Sequence, residues 1–176
     1  MNVTILCGSY RRPSRTLALC HAVIDELKRL LPAIRVHVVE ISQIGRELGA
    51  CLQRGELPPE IETHLQAVEK ADLLIAASPV YRATYSGLFK HFADFLDINA
   101  MTGKPVLLAA CGGSPLHTLV IDHQLRPLFA MLQTLTMPVG VYATEADIGA
   151  DGQIHSPAIQ KRIEMVVQLA LPHLPE

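Results

Sequence analysis

A turn rich in arginine and hydroxyl side chains follows the first apolar segment of the chain. After Cys7 the sequence reads Gly-Ser-Tyr-Arg-Arg-Pro-Ser-Arg-Thr, and a helical pattern begins directly afterwards. A helix N-terminus has unpaired N–H groups and a partial positive charge, and it therefore binds anions. Arginine and hydroxyl groups add charge-assisted hydrogen bonds to phosphate oxygens. We predict a phosphate-binding turn with the side chains Ser9, Arg11, Ser14, Arg15 and Thr16; the alternative is an N-capped helix with solvated arginines.

Two further loops have compositions that suit a flat ligand. Residues 78–87 contain a proline and two of the chain's four tyrosines, which can form a rigid wall against a ring. Residues 111–115 read Cys-Gly-Gly-Ser-Pro, and the glycines allow the backbone to approach a ligand closely. Each loop alone also fits an ordinary strand-to-helix connection, the first with Ser86 as the N-cap. Together with the phosphate-binding turn, they favour a planar ligand with a phosphate, and flavin mononucleotide (FMN) fits.

Apolar segments and helical patterns alternate along the chain, and they must position these loops. We predict strands at 3–7, 34–39, 72–77, 104–110 and 138–142, helices at 16–31, 61–70, 87–96, 115–135 and 157–171, and an irregular excursion at 40–59. Buried, non-alternating strands separated by helices indicate a parallel sheet covered on both faces. We therefore predict one α/β domain over residues 1–176, with a flavodoxin-like, doubly wound, five-stranded sheet of order 2-1-3-4-5. Ligands of such sheets bind beyond the carboxyl ends of the strands, between strands one and three.

Composition restricts the class of protein further. The 176 residues are 49% hydrophobic and 18% charged, and the formal net charge of −2 argues against a generally basic nucleic-acid binder. The sequence predicts no membrane span or targeting segment, hence a cytoplasmic protein, and the eight histidines have no metal-ligand spacing. The four cysteines are expected to be buried free thiols. A mean hydropathy of +0.27 predicts a homodimer or homotetramer, with the helix at 88–96 and its three phenylalanines as the candidate interface.

The loop motifs resemble those of the NAD(P)H-dependent FMN reductase family, above all the reductases of two-component sulfonate monooxygenases. The matching motifs are Gly8-Ser9-x-Arg11-x-x-Ser14-x-Thr16, Pro79-Val80-Tyr81-x-x-x-Tyr85-Ser86-Gly87-x-x-Lys90 and Gly112-Gly113-Ser114. The resemblance implies FMN with NADPH or NADH as cofactors, and delivery of reduced FMN to a flavin-dependent monooxygenase in sulfonate metabolism. The hydride passes between the cofactors, so no catalytic protein residue is expected.

The resemblance also implies places for the cofactors. The 79–81 backbone is expected at flavin N5, residues 112–114 at the pyrimidine end, and the nicotinamide near residues 81–85. The implied cofactor-binding residues beyond the phosphate turn are Pro79, Val80, Tyr81, Arg82, Gly112, Gly113, Ser114 and His117. Flavin-retaining relatives typically have Asn where this chain has Arg82. Two alternatives stay open: a quinone or azo reductase that retains FMN, and a flavodoxin-type electron carrier.

The predicted helix at 115–135 has an irregular apolar stripe. Apolar positions run to Val120 and resume at Leu125, one residue late, with His123 and Gln124 between them. A π-bulge inserts one such residue, and Pro127 fits because it cannot donate to the carbonyl of His123. The alternative is a proline-kinked helix with a solvated histidine. Sulfonate-linked reductases carry an inserted Tyr or His here at a subunit interface, so the resemblance implies that His123 promotes flavin release.

Overall fold

The computed structural model describes residues 1–175 and contains a parallel sheet with helices on both faces. Its strands are β1 (Asn2–Cys7), β2 (Arg35–Glu40), β3 (Leu73–Pro79), β4 (Pro105–Gly112), β5 (Leu135–Thr136) and β6 (Val141–Thr144). The order β2-β1-β3-β4-β5 confirms the predicted flavodoxin-like topology, and all neighbouring strands are parallel. The switch point therefore lies between β1 and β3, where the loops after both strands leave the same edge of the sheet.

The edge position, predicted as one strand at 138–142, holds two short strands, of which β5 precedes the predicted segment and β6 overlaps its end. β5 pairs with Pro105 and Val106 of β4, whereas β6 pairs with residues 109–112 farther along the same strand. Pro138 lies in the interruption and has no N–H to donate to β4. The sheet thus has six strands where five were predicted, with β5 and β6 sharing the fifth position.

Helices cover both faces of the sheet. They are α1 (Arg15–Leu30), α2 (Ile41–Gly49), α3 (Pro59–Glu69), α4 (Gly87–Asp94), α5 (Ile98–Met101), α6 (Arg126–Met131) and α7 (Pro157–Ala170), with a π-helix at Ile121–Leu125. α1 and α7 pack on one face, and α2, α3, α4 and α6 contribute to the apolar core on the other. The four cysteines are buried and free, as predicted. No helix within residues 1–175 is both long and apolar enough to span a membrane.

The prediction of an irregular excursion at 40–59 was wrong, because α2 occupies its first half. Ile41, Ile44 and Leu48 have helical spacing and are buried. Gly45 and Gly49, which suggested a loop, face α4 instead: a Cβ on them would lie 3.0 and 3.3 Å from methyl carbons of Leu88. The two glycines therefore serve close packing of α2 against α4 and do not break the helix.

Two predictions about the other helices also need correction. The phenylalanines of the predicted interface helix lie in the core, since Phe89 and Phe92 are fully buried and Phe95 is 9% exposed. They pack toward the sheet and cannot form a subunit interface. The long helix predicted at 115–135 is not continuous: a 3₁₀ helix at Pro115–His117 and a turn precede the π-helix and α6. It ends at Met131, because Gln133 adopts a positive φ of 57° and Thr134 N–H donates to the carbonyl of Phe129, a helix-terminating pattern.

Candidate functional site

The three loops predicted to bind a ligand meet around a cavity of about 370 Å³ at the carboxyl edge of the sheet. The predicted residues that line it are Ser9, Arg11, Ser14, Arg15, Thr16, Pro79, Val80, Tyr81, Gly112 and Gly113. Pro13, Cys111 and Glu145 also line it, although the sequence analysis did not select them. Arg82, Ser114 and His117 were predicted at the site but do not line the cavity.

The first turn of α1 forms one end of the cavity. Ser14 is the N-cap of α1, and its Oγ accepts a hydrogen bond from Leu17 N–H at 3.2 Å. Ser9 Oγ accepts from Arg11 N–H at 3.2 Å, which holds the preceding turn. The N–H groups of Arg15 and Thr16 have no intrahelical partner, as at every helix start. An anion at this end therefore meets both the helix dipole and free N–H donors.

The three arginines of this turn have different partners. Arg12 donates two hydrogen bonds to the carboxylate of Glu40, at 3.0 and 2.6 Å, and so is turned toward β2. Arg15 is paired with Glu145 at 3.2 Å. Within residues 1–175 no carboxylate pairs with Arg11, which is exposed and lines the cavity. Arg11 is thus the guanidinium most available to a ligand anion.

Two buried serines join the second loop to the first. Ser86 Oγ donates to the carbonyl of Gly8 at 2.6 Å, and Ser86 N–H donates to Ser78 Oγ at 3.0 Å. Ser86 does occupy the N-cap position of α4, but its side chain makes no capping hydrogen bond. Gly8 also packs against Phe89, because a Cβ added to Gly8 would lie 2.9 Å from two side-chain atoms of Phe89. The two loops are therefore held in a fixed relation.

The tip of the second loop is a strained turn. Tyr81 and Thr84 pair through backbone hydrogen bonds of 2.8 and 3.2 Å. Between them Arg82 and Ala83 have φ values of 51° and 69°, a left-handed conformation that costs free energy for residues other than glycine and asparagine. Tyr81 contacts Tyr10, with ring centroids 5.3 Å apart, and Tyr10 Oη accepts from Leu88 N–H. This turn presents Tyr81 to the cavity and Arg82 to solvent.

Arg82→Asn is expected to raise the free energy of unfolding by about 0.5–1 kcal/mol, because asparagine tolerates the left-handed conformation that arginine resists. Urea unfolding of the ligand-free protein measures the change. Arg82→Ala is the matched control, since it removes the same side chain but keeps the conformational cost. An equal rise in the free energy of unfolding in both variants would show that loss of the arginine side chain causes the effect. Backbone strain at position 82 would then not explain it.

The third loop is shaped by Tyr142 on β6. Tyr142 Oη donates to the carbonyl of Ser114, and a Cβ on Gly112 would clash with that hydroxyl and lie 3.3 Å from Val80. Only glycine fits at position 112, because the Tyr142 hydroxyl already occupies the space that a Cβ would need. Burial, with a further contribution from Glu145, raises the pKa of the adjacent Cys111 thiol to about 11. The thiol is neutral at physiological pH and cannot act as a thiolate nucleophile.

The helix irregularity predicted around His123 is confirmed as a π-helix. Arg126 N–H donates to the carbonyl of Ile121, five residues earlier, whereas an N–H in an α-helix donates to the carbonyl four residues earlier. His123 is exposed at the centre of this segment. Gln124 points the other way, and its Oε1 accepts from Thr84 Oγ1 at 3.1 Å. The π-helix therefore contacts the strained turn of the second loop.

The sequence did not predict three features of the site. Tyr10 was counted as part of the phosphate turn but contacts Tyr81 of the second loop, and Tyr142 fixes the third loop from a different strand. Glu145 directly follows β6, so its place at the carboxyl edge was a usable signal. The contacts of Tyr10 and Tyr142 depend on side-chain direction across loops, which the sequence pattern does not encode.

Comparisons with known proteins identify the family. A family model described as NADPH-dependent FMN reductase matches residues 1–148. The chain belongs to this family. It is 55% identical to an NADH-dependent FMN reductase, SfnF, of Pseudomonas fluorescens over 98% of this chain and 91% of that protein. It is also 48% identical to an FMN reductase (NADPH) of Pseudomonas aeruginosa, over 97% of this chain and 90% of that protein.

A solved structure agrees with this membership. The X-ray structure of an oxidoreductase from Corynebacterium diphtheriae superposes with a TM-score of 0.83 and 31% identity, covering 98% of this chain and 95% of that one. The chain is therefore an oxidoreductase of a family that uses FMN and a nicotinamide dinucleotide.

Proposed function

We propose that the protein is an NAD(P)H-dependent FMN reductase that binds FMN as a dissociable substrate and supplies reduced FMN to a flavin-dependent monooxygenase of sulfonate metabolism. The observation that supports FMN binding best is Arg11, which pairs with no carboxylate of residues 1–175 and lines the cavity beside the first turn of α1. This end offers a guanidinium, three hydroxyl-bearing side chains (Ser9, Ser14 and Thr16) and free N–H groups to a phosphate. The relatives named SfnF and SfnE favour sulfur metabolism.

The other end of the cavity suits a flat ring. Gly112 and Gly113 provide a wall without side chains, and a Cβ on Gly113 would have no atom within 4 Å, so the space beside Gly113 is open. Pro79 and Tyr81 of the neighbouring loop also line the cavity. When bound, FMN supplies the chemistry by accepting a hydride from the reduced dinucleotide. The protein's part is to bind the phosphate, orient the ring and leave one face open to the nicotinamide.

Two experiments on the purified protein test this proposal. We expect a colourless protein that oxidises NADH or NADPH only after FMN is added, with absorbance at the dinucleotide band as the measurement. A yellow protein that reduces quinones or azo dyes without added FMN would instead support the alternative with retained flavin. A protein that binds FMN but oxidises neither dinucleotide would support the flavodoxin-type carrier.

We further propose a homodimer or homotetramer whose interface includes the surface around the π-helix. Leu116 and Leu119 are 88% and 58% exposed there, close in sequence to His123. Exposed apolar patches often mark sites of protein–protein association. Sedimentation is expected to show a dimer or tetramer at micromolar concentration, and a Leu116→Ser, Leu119→Ser double variant is expected to dissociate. A wild-type monomer would contradict this proposal.

A further inference from the structure

One carboxylate lies at the end of the cavity that is proposed to receive a phosphate. Glu145 lines the cavity together with Arg11 and Arg15, and its Oε2 is 3.2 Å from Nη1 of Arg15. An acidic residue at an anion site weakens binding, because like charges a few ångströms apart repel even in partly solvated surroundings. Glu145 is therefore expected to weaken phosphate binding, which raises the question of what function it has at this position.

The backbone fixes Glu145 at this place. The carboxylate of Asp147 accepts hydrogen bonds from the N–H and the Oγ1 of Thr144, both at 2.7 Å, and Asp147 N–H donates to the carbonyl of Thr144 at 3.1 Å. This turn follows β6 directly and so lies at the same sheet edge as the three loops. The charges of Glu145 and Arg15 both reach the cavity wall at Cys111, where they shift the thiol pKa in opposite directions.

We propose that Glu145 competes with the phosphate of FMN for Arg15 and thereby keeps the flavin exchangeable. The inference rests on the proposed function as an FMN reductase. A phosphate that binds Arg15 must displace the Glu145 carboxylate and then lie near that carboxylate with a charge of about −1.5 to −2. The pair can rearrange, since the Arg15 and Glu145 side chains are 42% and 60% exposed. Glu145 thus lowers affinity for phosphorylated flavin selectively.

The test is the Kd of FMN for the full-length Glu145→Gln variant, measured by quenching of flavin fluorescence. Glutamine keeps the size of the side chain but neither binds Arg15 as an ion nor repels phosphate. We expect the Kd of FMN to fall about tenfold, equivalent to about 1.4 kcal/mol. The Kd of riboflavin, which lacks the phosphate, is expected to change less than about twofold. Added salt should reduce the difference in FMN Kd between the variant and wild type, because salt screens exposed charges.

Two control variants make the result specific. Glu164→Gln removes the same charge from the exposed face of α7 and is expected to leave the Kd of FMN unchanged. In an Arg15→Ala background the Glu145→Gln change should improve FMN binding less than in wild type, because the competition for Arg15 is gone and only the repulsion between Glu145 and the phosphate remains. An unchanged FMN Kd in Glu145→Gln, or an equal gain for riboflavin, would overturn the inference. Failure of wild type to bind FMN at all would instead refute the proposed function.

Discussion

Arg11→Ala is expected to raise the Kd of FMN by about one to two decades, since a charge-assisted hydrogen bond contributes roughly 1.5–3 kcal/mol. Arg11 is the arginine of the phosphate turn with no carboxylate partner among residues 1–175, whereas Arg12 is held by Glu40 and Arg15 by Glu145. Loss of Arg11 therefore removes the arginine whose charge is most available to the phosphate. Titration of flavin fluorescence measures the effect.

Riboflavin and a second arginine serve as controls for this prediction. Riboflavin has no phosphate and should bind Arg11→Ala nearly as well as it binds wild type. Arg35→Ala removes an equal charge at the amino end of β2, the opposite edge of the sheet, and should leave FMN binding unchanged. Equal losses of affinity for FMN and riboflavin in Arg11→Ala would show that Arg11 does not bind the phosphate.

Deletion of His123 is expected to convert the protein from colourless to yellow, with FMN retained through purification. Removing one residue turns the five-residue spacing between Ile121 and Arg126 into the four of an α-helix and rotates the preceding segment by about 100°. The exposed Leu116 and Leu119 then face a different direction, and the interface proposed there changes. We expect turnover of added FMN to fall and transfer of reduced FMN to a monooxygenase to fail.

His123→Ala separates the helix register from the histidine side chain. This variant keeps the residue count and so the π-helix, and it should remain colourless if the register decides flavin release. The flavin absorbance of both purified variants is the measurement. A deletion variant that is colourless and reduces added FMN at the wild-type rate would remove the π-helix from any role in flavin exchange.

The sequence predicts those features of this protein that depend on one segment at a time. Strand positions follow from apolar runs such as the one predicted at 72–77, and right-handed crossovers then give the strand order. The loops after β1, β3 and β4 had to meet because parallel strands end at one edge. The π-helix was also predictable, because a one-residue shift in an apolar stripe has few physical explanations.

Features that depend on contact between distant segments were not predictable. Gly45 and Gly49 indicated a loop because the sequence does not show Leu88 packed against them. The phenylalanines of α4 were assigned to a surface, since an apolar helix face fits a sheet and a subunit equally well. The pairing of Arg12 with Glu40 joins residues 28 positions apart, so three arginines that look equivalent in sequence have different roles.

The hydrogen bond between Gln124 and Thr84 joins the surface of the proposed subunit interface to the second loop of the cavity. His123 on the outer side of the π-helix is open to a neighbouring molecule, while Gln124 on the inner side holds the turn that presents Tyr81 to the cavity. In the proposed assembly, a second subunit packed on the outside and a ligand inside act on the same segment, and any coupling between them is reciprocal. We therefore expect the apparent affinity for FMN to vary with the concentration of the protein itself.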